Sequence, residues 1–206
     1  EDPSAAADVF SFANDQLRDL VNAGALYKVT RNAEDVKSRN GEGAVGAATL
    51  DGQLYAYPMT ADNGYFMYYD SSVFTEEDVQ SLDAMLAAAE AAGKKVFMDV
   101  SNGWYIASFF LGNGGTLAID ANGNQTCDFN NANGLATAEA IKAFTAHPAF
   151  ITGDDTVLTA GIQDGTIAAG VSGTWNASAI SGSLGERYAA TKLPTFTVDG
   201  AQVQMS

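Results

Sequence analysis

The sequence predicts an α/β fold held together by packing alone, and three observations carry that expectation. Helical and strand-like patterns alternate along most of the chain with short breaks between them. Of the 206 residues, 47% are hydrophobic and 17% charged, enough apolar material for a sizeable core. A single cysteine, Cys127, excludes an internal disulfide framework and any cysteine-cluster zinc site. A chain of this length buries roughly 70% of the surface it exposes unfolded, so packing alone can hold it. Length by itself accommodates one large domain or two small ones.

The elements follow in order. Asp8-Val-Phe-Ser-Phe12 reads as a buried strand. Asn14 or Asp15 can cap the next helix, which carries Leu17, Leu20 and Val21 on one face and stops at Gly24. Residues 31–42 are polar and charged, with loop character and room for one helical turn. Leu50-Asp-Gly-Gln-Leu54 is a hairpin signal, because Asp-Gly supplies the positive φ angles of a tight turn. Its second strand is expected to run through Tyr57, and Tyr65–Tyr69 forms another strand.

Beyond Pro58 the pattern becomes regular. Ser81 opens an Ala/Leu-rich helix closed by Gly93, and Lys95–Met98 is a short strand. A helix from Trp104 ends at Gly112, and Ile119–Cys127 reads as a hairpin turning at Asn122-Gly123. Asn133 and Thr156 cap two further helices, Thr166–Val171 is a strand, Thr174–Leu184 a helix and Tyr188–Leu193 a strand. A last hairpin turns at Asp199-Gly200. The alternation predicts helices packed on a mostly parallel sheet. The chain has no initiator Met and no signal peptide, and both ends read as cut from something longer.

Charge narrows the function. Ten basic residues against 25 acidic ones leave a net −15, which argues against a nucleic-acid backbone or an anionic membrane as partner. The one histidine, His147, sits before Pro148 at a helix end, where it is expected to interact with the terminal carbonyls, and a single histidine excludes most His-based metal sites and catalytic triads. No apolar run approaches the ~18 residues of a membrane span. Gly41-Glu-Gly-Ala-Val-Gly46 matches a dinucleotide fingerprint by letter, but a charged loop precedes it and strand-like sequence follows, the wrong context for a phosphate cradle. Asp120–Asn131 resembles a calcium loop but lacks the sixth-position Gly and the twelfth-position Glu, so a hairpin turn is expected. Glu76-Glu77-Asp78 and Asp154-Asp155 read as solvated helix-start acids, and Cys127 as a small buried apolar residue. No metal or cofactor is expected.

More informative are aromatics placed at polar breaks. Phe12 precedes Ala13-Asn-Asp-Gln16, Trp104 follows Asp99-Val-Ser-Asn-Gly103, and Trp175 follows a strand in Val171-Ser-Gly-Thr-Trp-Asn176. In an open α/β sheet, ligands bind beyond the carboxyl ends of strands, where such residues would fall. A flat ring beside amides and carboxylates suits a sugar, whose C–H face stacks while its hydroxyls take hydrogen bonds.

Several blocks then resemble the extracellular solute-binding proteins of carbohydrate ABC importers, the maltose/maltodextrin-binding type. They are Asp8-Val-Phe-Ser-Phe-Ala-Asn-Asp15 with Gly24-Ala-Leu26, Asp51-Gly-Gln-Leu-Tyr-Ala-Tyr-Pro58, and Tyr68-Tyr-Asp70. Phe110-Leu-Gly-Asn-Gly-Gly115, Ala168-Ala-Gly-Val-Ser-Gly-Thr-Trp175 and Lys192-Leu-Pro-Thr195 follow in the family's order. The resemblance implies a periplasmic-binding-protein-like (type II) α/β fold. Residues 1–60 would be a partial N-terminal lobe and 61–206 a mostly complete C-terminal lobe, crossing back near 194–206.

The resemblance also implies roles. Phe12 stands at a stacking aromatic, Asp15 at a hydroxyl-binding acid, and Gln16 where an Arg is usual. Asp62 matches a binding Glu near the lobe crossing. Asn102 and Trp104 match the acid and aromatic of a second-lobe group, and Trp175 its main platform. The implied protein is a non-catalytic, extracytoplasmic receptor, lipoprotein or periplasmic, for a maltose/maltodextrin-like oligosaccharide. Its partners would be the sugar and the membrane permease subunits of an ABC importer, with no nucleic acid. Three alternatives stay open: a glycoside hydrolase using Asp15 and Asp62 as its carboxylate pair, a same-scaffold receptor for a non-sugar solute, and a purely structural or adhesive surface domain.

Overall fold

The computed structural model describes residues 7–60 and 64–206. They fall into two compact units, Glu1–Asn63 and Gly64–Ser206.

In the first unit, a 3-10 turn, Asn14–Gln16, leads into α1 (Leu17–Asn22), followed by α2 (Ala33–Arg39) and α3 (Glu42–Ala47). A hairpin of β1 (Thr49–Leu50) and β2 (Gln53–Leu54) closes it, turning at Asp51 (φ 51°) and Gly52 (φ 76°) as the Asp-Gly signal requires. Val29, Ala48 and Leu54 form its small core with Ala33, Val36 and Ala56 packed around them.

Four expectations for this unit are corrected. Asp8–Phe12 is no buried strand: Val9 is 89% exposed and no ladder partner stands among the described strands. Extended backbone without a partner leaves its N–H and C=O groups to water, whatever its β propensity. Residues 31–42 hold the helix α2 rather than loop: Ala33 and Val36, three apart, pack on the small core, and Lys37–Glu34 (3.0 Å) and Arg39–Asp35 (2.9 Å) add charge pairs at helical spacing. The second hairpin strand stops at Leu54 and does not reach Tyr57. Glu42-Gly-Ala-Val-Gly46 is helical, and the element before it is α2, so the strand–turn–helix context of a phosphate cradle is missing.

The second unit is built on a five-stranded sheet of order β7-β4-β8-β3-β9. Its strands are β3 (Tyr65–Asp70), β4 (Lys95–Phe97), β7 (Phe150–Ile151), β8 (Ile167–Gly173) and β9 (Tyr188–Thr191). The expectation of a mostly parallel sheet needs revision. The β7-β4 and β4-β8 pairs are parallel, whereas β3 runs antiparallel to both β8 and β9. The sheet is mixed, with β3 alone reversed. All seven residues of β8 are buried, which suits its apolar run to the centre of the sheet.

Alternation along the strands separates two cores. Met67 and Tyr69 of β3 and Val96 of β4 face α4 (Leu82–Ala91), α5 (Gly103–Gly112) and α6 (Ala132–Thr145). Tyr68 and Phe97 face α7 (Asp155–Asp164) and α8 (Ala177–Leu184) through Leu158, Ile162, Ile180 and Leu184. The result is helices on both sides of one sheet. A C-terminal hairpin, β10 (Thr195–Val198) and β11 (Ala201–Gln204), adds Phe196 and Val198 to the first core.

The capping residues shift by two from the sequence expectation. Asn131, not Asn133, caps α6 by accepting from the Gly134 N–H (2.9 Å). Asp154, not Thr156, caps α7 by accepting from the Thr156 and Val157 N–H groups (3.0 and 3.1 Å). Each stands in extended conformation just before the first turn, where its side chain reaches the orphan amides.

The hairpin β5 (Leu117–Ile119) and β6 (Gln125–Cys127) is exposed along its length, so Cys127 is exposed rather than buried. No second layer covers it. Between the strands, Asp120 accepts from the Asn124 and Asn122 N–H groups (2.8 and 2.9 Å), which holds its carboxyl below the usual range. Those bonds make the stretch a turn.

Candidate functional site

The carboxyl ends of β4, β7 and β8 and the amino end of β3 share one edge of the sheet in the second unit. The register proves the last point, since Tyr65 at the start of β3 lies opposite Gly173 at the end of β8. The loop after β4 meets the loop after β7 where the Val100 N–H reaches Thr152 Oγ1 (3.3 Å).

Trp104 stands in the first turn of α5, immediately after the β4 loop. Asn102 caps that helix, its Oδ1 accepting from the Trp104 N–H (3.0 Å). Trp104 is 46% exposed, and its edge meets Tyr65 with ring centroids 6.1 Å apart. The Tyr65 hydroxyl donates to the Trp104 carbonyl (3.3 Å), and its ring meets Tyr105 at 5.2 Å.

Trp175 stands on a 3-10 turn, Thr174–Asn176, directly after β8. It is 50% exposed, and its ring lies across Gly173 so closely that a Cβ there would overlap it. Its indole Nε1–H donates to Asp155 Oδ2 (2.8 Å). Asp155 Oδ1 accepts from Ser172 Oγ (2.9 Å), and Asn176 Nδ2 donates to the same Ser172 oxygen (2.9 Å).

Tyr105 ties the two halves of this edge together. Burial raises its phenol above the ordinary tyrosine range, the Asp155 and Asp99 carboxylates push the same way, and a hydrogen bond with Ser172 opposes them. Burial raises Tyr65 likewise, against a hydrogen bond from Ser108. Both phenols are therefore neutral at ordinary pH and able to donate. Two half-exposed indoles, neutral phenols, amides and two carboxylates share the edge, and the residues named here include no lysine or arginine. Such a set can stack flat apolar faces and bind hydroxyls, but it offers nothing to neutralise an anion.

Of the residues picked out from sequence, Asn102, Trp104 and Trp175 come together at this edge. Phe12, Asp15 and Gln16 lie in the first unit. Phe12 is half-buried with its ring 5.8 Å from that of Phe10, and Asp15 and Gln16 are exposed on the 3-10 turn. Asp62 lies outside the described residues. Among the described residues, no group of three or more His, Cys, Asp or Glu could hold a metal ion.

Tyr65, Asp155, Ser172 and Asn176 escaped sequence reasoning. Asp154-Asp155 looked like a pair of helix-start acids, yet only Asp154 caps. The available signal was that one cap position takes one acid, leaving its neighbour unexplained. His147 also behaves otherwise than expected. Its Nδ1 accepts from the Ala149 N–H (3.1 Å), with Glu90 3.7 Å from Nε2, so it serves an amide rather than helix-terminal carbonyls.

Two cavities of about 410 and 380 Å³ lie elsewhere in the second unit, one among α4, α6 and β10, the other beside β3, β9 and α8. Neither is lined by Trp104 or Trp175, although Thr174, on the turn that carries Trp175, lines the second.

The sequence profile of a family described as bacterial extracellular solute-binding protein matches residues 1–206. A galactooligosaccharide-binding protein of Bacillus subtilis (strain 168) is 27% identical over 201 residues, covering 91% of this chain and 47% of its own. A structure solved with acarbose superposes at a TM-score of 0.86 and 39% identity, over 100% of this chain and 53% of that one. Maltodextrin binding protein MalE1 from L. casei BL23, solved without ligand, superposes at a TM-score of 0.76 and 29% identity, over the same 100% and 53%. The chain spans about half the length of these relatives.

Proposed function

The chain belongs to the family of bacterial extracellular solute-binding proteins, and from that premise we propose that it is part of a receptor for a neutral oligosaccharide of the maltose/maltodextrin type. The receptor hands its sugar to the permease subunits of an ABC importer and performs no reaction. It works outside the cytoplasm, anchored as a lipoprotein or free in a periplasm. Residues 61–206 supply most of one lobe and residues 1–60 part of the other.

The observation that carries the reading is the pair of half-exposed indoles, Trp104 and Trp175, on one sheet edge beside Asn102 and neutral phenols. A pyranose offers axial C–H groups to an indole face and equatorial hydroxyls to amides and carboxylates. Each good stack or shared hydrogen bond contributes on the order of 1 kcal/mol. The lack of a cation among these residues favours a neutral sugar over a phosphorylated or acidic one. Relatives named as galactooligosaccharide- and maltodextrin-binding proteins support the sugar class. Phe12, Asp15, Gln16 and Asp62 are proposed as further contacts on the strength of the family resemblance alone.

Calorimetric titration of malto-oligosaccharides into the full-length protein tests this. Trp175→Ala is expected to weaken binding at least tenfold, about 1.4 kcal/mol. Unchanged affinity removes Trp175 from the site. Release of reducing sugar that disappears in Asp62→Asn would replace the receptor by a hydrolase.

A further inference from the structure

We infer that Asp155 is the positioning residue of the Trp175 platform: its carboxylate fixes the indole plane across Gly173, so that one face is held open for a sugar ring. The inference rests on the proposed stacking role of Trp175 and adds what holds that ring in place.

The division of labour between neighbouring acids is the starting point. Asp154 satisfies the α7 amides, accepting from Thr156 and Val157. Asp155, the first helical residue, has both oxygens directed away from its own helix. Oδ1 accepts from Ser172 Oγ (2.9 Å) and Oδ2 from Trp175 Nε1–H (2.8 Å). Ser172 is fully buried in the central strand and is itself held by Asn176 Nδ2 (2.9 Å), so the carboxylate is anchored to a rigid element.

An indole has one polar atom. When that N–H can turn to water, a half-exposed ring samples several rotamers, and a ligand must order it on binding. Here the N–H is tied to a carboxylate, a charge-assisted bond stronger than a neutral one. The ring is seated at the same time on Gly173, where any Cβ would overlap it. Tethered at its edge and supported on one face, the indole has its opposite face free. The order of the ring is thus set before ligand arrives.

The test uses the full-length, 15N-labelled protein, with the Trp175 Nε1–H resonance assigned by its loss in Trp175→Phe. Without sugar, Asp155→Leu is expected to move that resonance and speed its exchange with water. Asp155→Asn keeps an acceptor oxygen and should leave it in place. In maltotriose titrations, Asp155→Leu should weaken binding about fivefold, ~1 kcal/mol, while Asp155→Asn stays within about twofold of the parent. In a Trp175→Ala background, Asp155→Leu should cost nothing more. Gly173→Ala leaves the carboxylate intact but fills the ring's seat, and should move the same resonance by an independent route. An unmoved resonance in Asp155→Leu or Gly173→Ala overturns the positioning role, as does a fivefold loss that persists without Trp175. If Trp175→Ala itself binds normally, the stacking reading fails and takes the ligand half of the inference with it. The resonance still reports separately on whether Asp155 orients the ring.

Discussion

Asn102 does two jobs that a substitution can separate. Its Oδ1 caps α5 by accepting from the Trp104 N–H (3.0 Å), while its amide Nδ2 is the group proposed to reach a sugar hydroxyl. Asn102→Ala should cost about 1 kcal/mol of stability through the lost cap, measurable by urea unfolding. Asn102→Asp keeps an acceptor and adds a favourable charge at the helix start, so stability should hold or rise. Any loss of sugar affinity in Asn102→Asp then reports the missing amide donor rather than a frayed helix. A stability change of the same size in both variants contradicts the cap. At this scale the two tryptophans were legible because aromatic residues beside polar breaks stand out in a linear string. Asp155 was not, since the Asp154-Asp155 pair shows at most that one acid is left over from capping, not what that acid reaches.

The element that carries Asn102 and Trp104 is held by its other end. Phe109 of α5 stacks on Phe144 of α6 with centroids 5.1 Å apart and meets the edge of Phe196 of β10 at 4.9 Å. It is fully buried, so Phe109→Ala removes a shared contact of two helices and the C-terminal hairpin. The expected loss is about 3–5 kcal/mol, read from the denaturant midpoint, with a weakened Trp104 platform as its consequence. A loss under about 1 kcal/mol would mean the cluster collapses around the gap. Elements with local signals were readable in advance. The Asp51-Gly52 and Asp199-Gly200 turns both adopt positive φ, and the Ala/Leu run became α4. α2 was missed because only Ala33 and Val36 pack on the small core, in a stretch whose polar composition resembles a loop, and its charge pairs one turn apart add little. The strand expected at Asp8–Phe12 failed for the opposite reason, as β propensity forms nothing without a partner.

Across the second unit, three of the chain's eight tyrosines, Tyr65, Tyr68 and Tyr105, have phenols raised above the ordinary value of 10.0, in each case chiefly by burial. The unfolded chain releases these protons near 10.0 while the folded chain still holds them. Stability is thus unaffected by these groups below that pH and falls as pH rises through and beyond it. Urea unfolding across the alkaline range should show this decline, with the 295 nm phenolate absorbance rising in two stages, the later one accompanying unfolding. A single early stage with no change in stability would mean the three phenols are open to water when folded.

What the chain determined by itself was local in origin: the α/β alternation, the tight turns, most helix ends, and the aromatics flanking polar breaks. Those follow from backbone preferences and periodicities that act within a few residues. Only the tertiary structure decided that β3 runs against its neighbours, that Tyr65 lies opposite Gly173, and that Asp155 reaches an indole 20 positions away. Such pairings depend on which strands share a ladder and in what register, a choice made by the packing of the whole core. No short stretch of sequence contains it.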